Sequence, residues 1–101
     1  MPKMIFVNLP VVNLAAATRF YLAIGCKKNE QFSDERSASM VWSETITFQL
    51  LTTDYFATYT PKPVADAHRT TEVLLAISLD SRAEVDAVAQ AAAAAGGKAD
   101  M

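Results

Sequence analysis

The side chains best suited to nucleophilic or metal chemistry in this chain are its one cysteine, Cys26, and its one histidine, His68. A single cysteine excludes an internal disulfide and a cysteine-based metal cluster. Cys26 follows the end of a predicted helix without an evident histidine or aspartate partner, and His68 lies in a polar loop beside Arg69. We therefore interpret Cys26 as a packing residue and His68 as a solvated loop residue, rather than as catalytic groups.

A polar side chain inside an apolar strand is the second kind of candidate, and Asn8 is one. The first predicted strand has two alternating faces, Ile5, Val7 and Leu9 on one side and Met4, Phe6 and Asn8 on the other. The helix that follows is expected to cover the first face, which leaves the face of Asn8 turned toward a core or a cavity. We expect Pro10 to end the strand, because proline has no N–H to donate to a neighbouring strand.

Composition is that of an ordinary globular protein of one domain, with 101 residues, 51% hydrophobic and 20% charged residues, and a net charge of -2. The Lys and Arg residues form no cluster and no basic helix face, so a nucleic-acid footprint is unsupported. No apolar stretch is long enough to span a bilayer, and the N-terminus lacks the features of a signal peptide. We expect a cytoplasmic protein without a membrane partner.

The stretch after the first strand predicts an amphipathic helix. Asn13 is a good N-cap because its side chain can accept from free amides of the first turn, and Gly25 suits the left-handed position after the last turn. An apolar stripe runs between them, formed by Leu14, Ala17, Tyr21 and Ile24 and widened by Phe20. This stripe predicts that the helix lies on a sheet.

Three further strands are predicted to build that sheet. Residues 26–32 suit an exposed edge strand, residues 33–36 form a turn, and residues 39–43 and 46–53 form a hairpin. The last of these strands alternates between two faces, Ile46, Phe48 and Leu50 on one and Thr47, Gln49 and Leu51 on the other.

The second half of the chain repeats the order of strand and helix. Residues 54–70 are interrupted by prolines and are predicted to be an ordered linker. Residues 71–79 are predicted to be a second buried strand, and Ser81 with Glu84 forms a capping box that starts a helix reaching about residue 95.

The element order β-α-β-β-β, linker, β-α predicts an α+β fold in one domain over residues 1–101. Residues 1–53 form a complete βαβββ module, residues 54–70 the linker, and residues 71–101 a partial second module. The repeated strand and helix suggest a duplicated unit whose second copy is incomplete in this chain.

The stretch VNLPVVNLAAATRFY, followed by AIG, and the stretch VLLAISLDSRAEVDAVAQAAAAAGG together resemble the vicinal oxygen chelate superfamily. That superfamily includes glyoxalase I, extradiol dioxygenases and bleomycin resistance proteins. The resemblance covers nearly the whole chain and implies a glyoxalase-like fold of paired βαβββ modules, whose curled sheets enclose a cleft. Within the superfamily, the chain is most similar to small glyoxalase-like proteins without a proven reaction.

Metal-dependent members of the superfamily place one ligand on each of four strands. Three of those places fall on Phe6, Gln49 and Leu74, and the fourth would lie on a strand that this chain does not contain. A divalent metal needs several converging nitrogen or oxygen donors, and Phe6 and Leu74 offer none. We therefore expect no metal and no other cofactor, which removes the metal-dependent proton transfer and oxygen chemistry of the superfamily.

The resemblance also implies which side chains face the cleft, and these are our candidate ligand-binding residues: Phe6, Asn8, Trp42, Thr47, Gln49 and Glu72. An apolar pocket with a few convergent polar groups is the usual form of a small-molecule site. The alternative is that the polar members only satisfy neighbouring groups of a half-solvated sheet and that Trp42 belongs to the core. No catalytic residue is assigned.

We expect a metal-free glyoxalase/bleomycin-resistance-like protein that binds a small molecule in a sheet-lined cleft. One alternative is an enzyme of the lyase or dioxygenase type with an unidentified substrate, using Glu72 or an acid on the absent strand as a general base, and another is an inert dimerising fragment. Related proteins pair their modules across two chains, and the partial second module would leave strand edges open. A homodimer is therefore the expected assembly.

Overall fold

A mixed sheet of four strands, covered on one face by a helix, forms the centre of the computed structural model, which describes residues 2–67 and 69–97. Its strands are β1 (Ile5–Val11), β2 (Lys27–Asn29), β3 (Ser37–Val41) and β4 (Ile46–Thr52). Its helices are α1 (Leu14–Ala23), α2 (Thr53–Ala57) and α3 (Arg82–Ala94), and a short 3-10 turn spans Glu30–Phe32. The α+β class predicted from the sequence is confirmed, as is the βαβββ order of residues 1–53.

The strands lie in the order β1-β4-β3-β2. Strand β4 is central and runs parallel to β1, whereas β3 pairs antiparallel with both β4 and β2. Helix α1 lies between β1 and β4 in the chain and packs across the sheet. The first and last strands of the βαβββ module can therefore pair in parallel. Strand β1 forms one edge of the sheet in the described residues.

Pro10 lies inside β1, so the prediction that it ends the strand is wrong. The amide of Ile5 donates to the carbonyl of Thr45 at 2.7 Å, which orients the backbone of odd-numbered β1 residues toward β4. By alternation, the nitrogen of Pro10 points away from β4 toward the free edge, where no donor is required. Proline is tolerated in a strand at such an edge position.

Helix α1 begins and ends as predicted. The Asn13 side chain accepts a hydrogen bond from the amide of Ala16 at 3.0 Å, and Gly25 adopts a φ of +114°, a left-handed conformation that favours glycine. Leu14, Ala17 and Tyr21 pack against the core. The fully or nearly buried core residues are Leu9, Cys26, Ala38, Met40, Phe48 and Leu50.

Residues 71–79 do not form the buried strand that their alternation predicts. The segment joins no sheet of the described chain, and its side chains are mostly exposed, with Leu74 exposed to 85%. Apolar alternation produces a strand only where a neighbouring edge accepts hydrogen bonds and a second layer covers one face. Neither is supplied to this segment within the described residues.

Smaller boundaries also differ from prediction. The edge strand predicted over residues 26–32 is only three residues long, because Asn29 caps the 3-10 turn by accepting from the amide of Gln31. The predicted linker begins with α2, and its His68 lies outside the described residues. Helix α3 is capped by Ser81, whose Oγ accepts from the amide of Glu84 at 3.1 Å, as the capping box predicts.

Helix α3 contacts α1, although none of its residues is fully buried. No helix among the residues that the structure describes combines the length and the apolar character needed to cross a membrane.

Candidate functional site

A row of polar side chains crosses the face of the sheet opposite α1. Asn8 of β1 pairs with Gln49 of β4, Gln49 pairs with Ser39 of β3, and Ser39 pairs with Asn29 of β2. Residues paired directly across neighbouring strands point to the same face. The row therefore presents two carboxamides, a hydroxyl and a third carboxamide in a line across all four strands.

The residues on either side of this polar row are mixed in character. Phe6 pairs with Thr47, which in turn pairs with Val41, and on the other side Leu51 pairs with Ser37. Thr47 and Leu51 are buried, whereas Phe6 is more than half exposed. This face of the sheet therefore carries the polar row with a partly apolar row of side chains on each side of it.

A cavity of about 720 Å³ lies over this face, and we call it the cleft. Phe32, from the 3-10 turn, and Tyr55 and Tyr59, from α2 and the residues after it, form its walls. Phe32 and Tyr59 are more than 60% exposed, so their rings are available to a bound molecule. Aromatic side chains with exposed faces stack readily on flat ligands.

The tyrosine wall is held by its own contacts. The Tyr59 hydroxyl donates to the Tyr55 hydroxyl at 2.9 Å, and the Arg36 guanidinium lies 4.5 Å from the centre of the Tyr55 ring. The hydrogen bond with Tyr55 raises the pKa of Tyr59 above its ordinary value. The Tyr59 phenol therefore remains neutral at physiological pH.

The charges that line the cleft in the described chain are acidic. Asp34 and Glu44 contribute carboxylates, and no Lys or Arg belongs to the lining. The backbone amide of Arg36 donates to Asp34, and this bond, followed by the hydroxyl and amide of Ser37, holds the pKa of Asp34 below its ordinary value. The cleft therefore carries negative charge at neutral pH.

The polar groups on the floor are not used by the fold. The side chains of Asn8, Ser39, Thr47 and Gln49 form no hydrogen bond to any residue that the structure describes. Partly covered polar groups in a folded protein ordinarily have a protein or solvent partner. These side chains therefore retain donors and acceptors for a molecule that enters the cleft.

The structure brings together four of the six residues proposed from the sequence, namely Phe6, Asn8, Thr47 and Gln49. It places Trp42 elsewhere, since Trp42 shares the alternation of Met40 in β3 and packs against the core beneath α1. Trp42 is therefore a core residue, which was the alternative interpretation.

Glu72 is also placed elsewhere. It lines a separate cavity of about 780 Å³ on the helix side, together with Phe20 and Tyr21 of α1. Partial burial raises the pKa of the Glu72 carboxyl above its ordinary value, and it raises the pKa of Tyr21, with further contributions from Cys26 and Glu72. Glu72 does not line the cleft, because residues 71–79 do not join the sheet.

Sequence reasoning missed Ser39, Asn29 and the aromatic walls. Ser39 lies in a predicted strand, and its alternation with the core residue Met40 would have placed it on the cleft face. No periodic pattern marks Phe32, Tyr55 or Tyr59, because they lie in or beside short turns.

The positions at which the superfamily would place metal ligands do not fit a metal here. Phe6 and Leu74 end in hydrocarbon, and Leu74 lies in the exposed segment rather than in the cleft. Within residues 2–67 and 69–97, no three His, Cys, Asp or Glu side chains come close enough to hold an ion. The polar row on the floor of the cleft offers neutral amides and a hydroxyl instead, and the two carboxylates of the lining, Asp34 and Glu44, belong to no such group of three.

Cys26 lies in the core, and burial raises its pKa from 9.0 to about 11. Because the thiolate is the reactive form, we expect native Cys26 to react with a disulfide reagent at pH 8 roughly 100-fold more slowly than the unfolded chain. The measurement is the rate of thiol release with and without denaturant. Equal rates in the two states would show that Cys26 is accessible and ionised, in conflict with a packing role.

No protein-family model and no curated protein matches this chain. Its fold is similar to that of a hypothetical protein from S. aureus, with a TM-score of 0.75 and 22% sequence identity, over 95% of this chain and 71% of the other. This similarity shows that the two chains share an α+β fold.

Proposed function

We propose that this chain is a metal-free, glyoxalase/bleomycin-resistance-like protein that binds a small planar molecule in the cleft. The observation that carries the proposal is the row Asn8, Gln49, Ser39 and Asn29 across four strands. The side chains of the first three form no hydrogen bond to a described residue, whereas the Asn29 side chain accepts one from the amide of Gln31. A line of unused amides and hydroxyls beside exposed aromatic rings is the usual composition of a small-molecule site.

The lining favours one class of ligand. Carboxamides both donate and accept, so they can pair with an amide or a similar neutral polar group on the ligand. The rings of Phe6, Phe32 and Tyr59 offer flat apolar surface around the polar line. Because the charged groups of the lining are carboxylates, a neutral or positively charged ligand is favoured over an anion.

The enzyme alternative lacks a comparable observation. A lyase-type proton transfer over the cleft needs a base within hydrogen-bond reach of the ligand, and Glu72, the residue considered for that role, lines the helix-side cavity. Asp34 is one of the two carboxylates that line the cleft, but its lowered pKa and its bonds to Arg36 and Ser37 make it a structural acceptor and a weak base. A cytoplasmic location is part of the proposal, because Cys26 is a free thiol.

The test compares naphthalene-2-carboxamide with naphthalene-2-carboxylate, which have the same ring and differ in the polar group. We expect the carboxamide to raise the melting temperature and to shift the side-chain amide NMR signals of Asn8 and Gln49, and the carboxylate to do neither. If a wider series of planar aromatic compounds left these signals unmoved, the binding proposal would be wrong and the inert-fragment alternative would gain support.

A parallel measurement with divalent ions tests the metal-free part of the proposal. Mn²⁺, Ni²⁺ and Zn²⁺ are added to the chelator-treated protein, and the melting temperature is recorded. We expect no specific rise. A rise of more than about five degrees for one ion would mean that this ion binds the native state selectively, against our proposal.

A further inference from the structure

The cavity of about 780 Å³ on the helix side of the sheet, which we call the helix-side cavity, shares no described lining residue with the cleft. Its floor is apolar and is formed by the end of β1 and the inward face of α1, with Leu9, Val11, Ala17 and Phe20. Small-molecule sites have volumes of about 300–1,000 Å³. The helix-side cavity is therefore large enough for a ligand of its own.

The walls of the helix-side cavity are held by contacts within the chain. The end of α3 lies so close to α1 that a Cβ added at Gly97 would be 2.8 Å from a ring carbon of Phe20, so glycine is required there. On the other side, the amides of Arg69 and Thr70 donate to the carbonyl of Asp66 at 2.9 and 2.8 Å, which fixes a turn beginning at Asp66. Packed elements therefore bound the cavity on both sides.

The polar side chains of the lining divide into those that the fold uses and those that it does not. Asn13 caps α1, and the Thr53 hydroxyl donates to the carbonyl of Val11 at 3.3 Å. The Tyr21 hydroxyl and the Glu72 carboxylate form no hydrogen bond to any residue that the structure describes. Partly covered polar groups ordinarily have a protein or solvent partner. These two groups are therefore available to a bound molecule.

The charged side chains of this lining, as far as the structure describes it, are acidic. Asp66 and Glu72 contribute carboxylates, and no described Lys or Arg lines the cavity. Partial burial raises the pKa of Glu72, because it removes water from the charged form. The pKa of Tyr21 is raised by burial first and then by Cys26 and Glu72, so its phenol is neutral at physiological pH. A cation beside Glu72 replaces the lost hydration of the carboxylate, whereas an anion is repelled.

We propose that the helix-side cavity is a second ligand site, which binds a protonated amine with a compact aliphatic body. An ammonium group has three donors, which pair with the Glu72 carboxylate and the Tyr21 hydroxyl oxygen. The aliphatic body contacts the apolar floor around Leu9 and Val11. This site does not depend on the function proposed for the cleft, with which it has no described lining residue in common.

The test compares cyclohexylmethylamine, which is protonated at neutral pH, with cyclohexylmethanol, which has the same ring without the charge. We expect the amine to bind with a dissociation constant on the order of 1 mM, and the alcohol to bind at least roughly tenfold more weakly. In NMR titrations the amine should shift the backbone amide signals of Ala17 and Tyr21 and leave the side-chain amide signals of Asn8 and Gln49 unmoved. No shift at Tyr21 at roughly ten times that concentration, or equal binding of the alcohol, overturns the proposal.

A matched pair of variants locates the charge that the amine uses. Glu72→Gln removes the negative charge and keeps the shape of the side chain, and we expect the dissociation constant of cyclohexylmethylamine to rise by at least roughly tenfold. Glu35→Gln makes the same change at an exposed residue that lines neither cavity, and it should leave the affinity unchanged. Equal affinity of the Glu72 variant and the unsubstituted protein overturns the proposal.

A second variant decides the matter if Glu72→Gln does not fold. Tyr21→Phe removes only the hydroxyl, and we expect it to raise the dissociation constant of cyclohexylmethylamine by roughly threefold or more. An affinity unchanged by this substitution means that the amine does not contact the Tyr21 hydroxyl, against the proposal.

The two ligand sites fail separately. With naphthalene-2-carboxamide at saturation, the dissociation constant of cyclohexylmethylamine should be unchanged. Displacement of the amine by the carboxamide would place the amine in the cleft, which overturns the second site and leaves the function proposed for the cleft intact. Normal amine binding by a protein that takes up no planar carboxamide supports the second site and contradicts the function proposed for the cleft.

Discussion

Replacing Leu50 by alanine is expected to lower the free energy of unfolding by about 2–5 kcal/mol. Leu50 is fully buried in the central strand β4, where it lies between Leu9 of β1 and Ala38 of β3. Truncation removes apolar contacts and leaves a cavity that neighbours on both sides cannot fill, because their strands are fixed by the ladder. Urea unfolding followed by far-UV circular dichroism provides the measurement.

The matched control is Leu22→Ala on α1. Leu22 is 45% exposed, so its truncation should change the free energy of unfolding by no more than about 0.5 kcal/mol, if the helix itself is unperturbed. Equal losses from the two substitutions would contradict a core centred on β4. An unchanged slope of free energy against urea would show that both variants unfold from the same compact state.

Replacing Gln49 by leucine is expected to weaken binding of naphthalene-2-carboxamide by about tenfold or more. Gln49 lies at the centre of the polar row, between Asn8 and Ser39, and its side chain is free of hydrogen bonds to described residues. Leucine keeps the approximate volume but removes a donor and an acceptor, so the ligand amide loses its partner in a partly desolvated cleft. Calorimetric titration gives the two dissociation constants.

Gln90→Leu on α3 is the control for the same chemical change. Gln90 is exposed and does not line the cleft, so its substitution should leave the affinity unchanged. An affinity that is the same in the Gln49 variant and in the unsubstituted protein would mean that the ligand does not use the polar row. Equal weakening by both variants would indicate a general loss of structure instead.

The first 53 residues could be predicted well because local and tertiary preferences agree there. Asn13 and Gly25 mark the ends of α1 by mechanisms that act within a few residues, and the apolar face of Leu9 finds the helix stripe that it requires. A structure can be predicted from its sequence where local preferences and tertiary packing favour the same elements. The α+β class follows from this half of the chain alone.

Residues 71–79 show where that reasoning stops. Their alternation is as regular as that of β4, yet β4 has a neighbour on each side and this segment has none among the described residues. A periodic pattern reports which face would be buried in a sheet, but it does not report which edge accepts the strand. Glu72 was misplaced for the same reason.

The candidate site was predictable to the extent that it lies on regular strands. Phe6, Asn8, Thr47 and Gln49 share a face because side chains alternate with a period of two. Trp42 lies two residues after Met40, so the same alternation places it with the core and not on the cleft face. The tyrosine wall depends on Arg36 and on a turn after β4, which no sequence period describes.

Pro10 sets a limit on how far the sheet can grow. The edge of β1 is apolar and open, which in many proteins is a template for fibrous aggregates. An incoming strand can build its ladder along residues 5–9, but beyond them it meets a position with no donor and a rigid ring. The edge can therefore hold one short strand in a restricted register. The long, flat pairing on which amyloid growth depends is interrupted at Pro10.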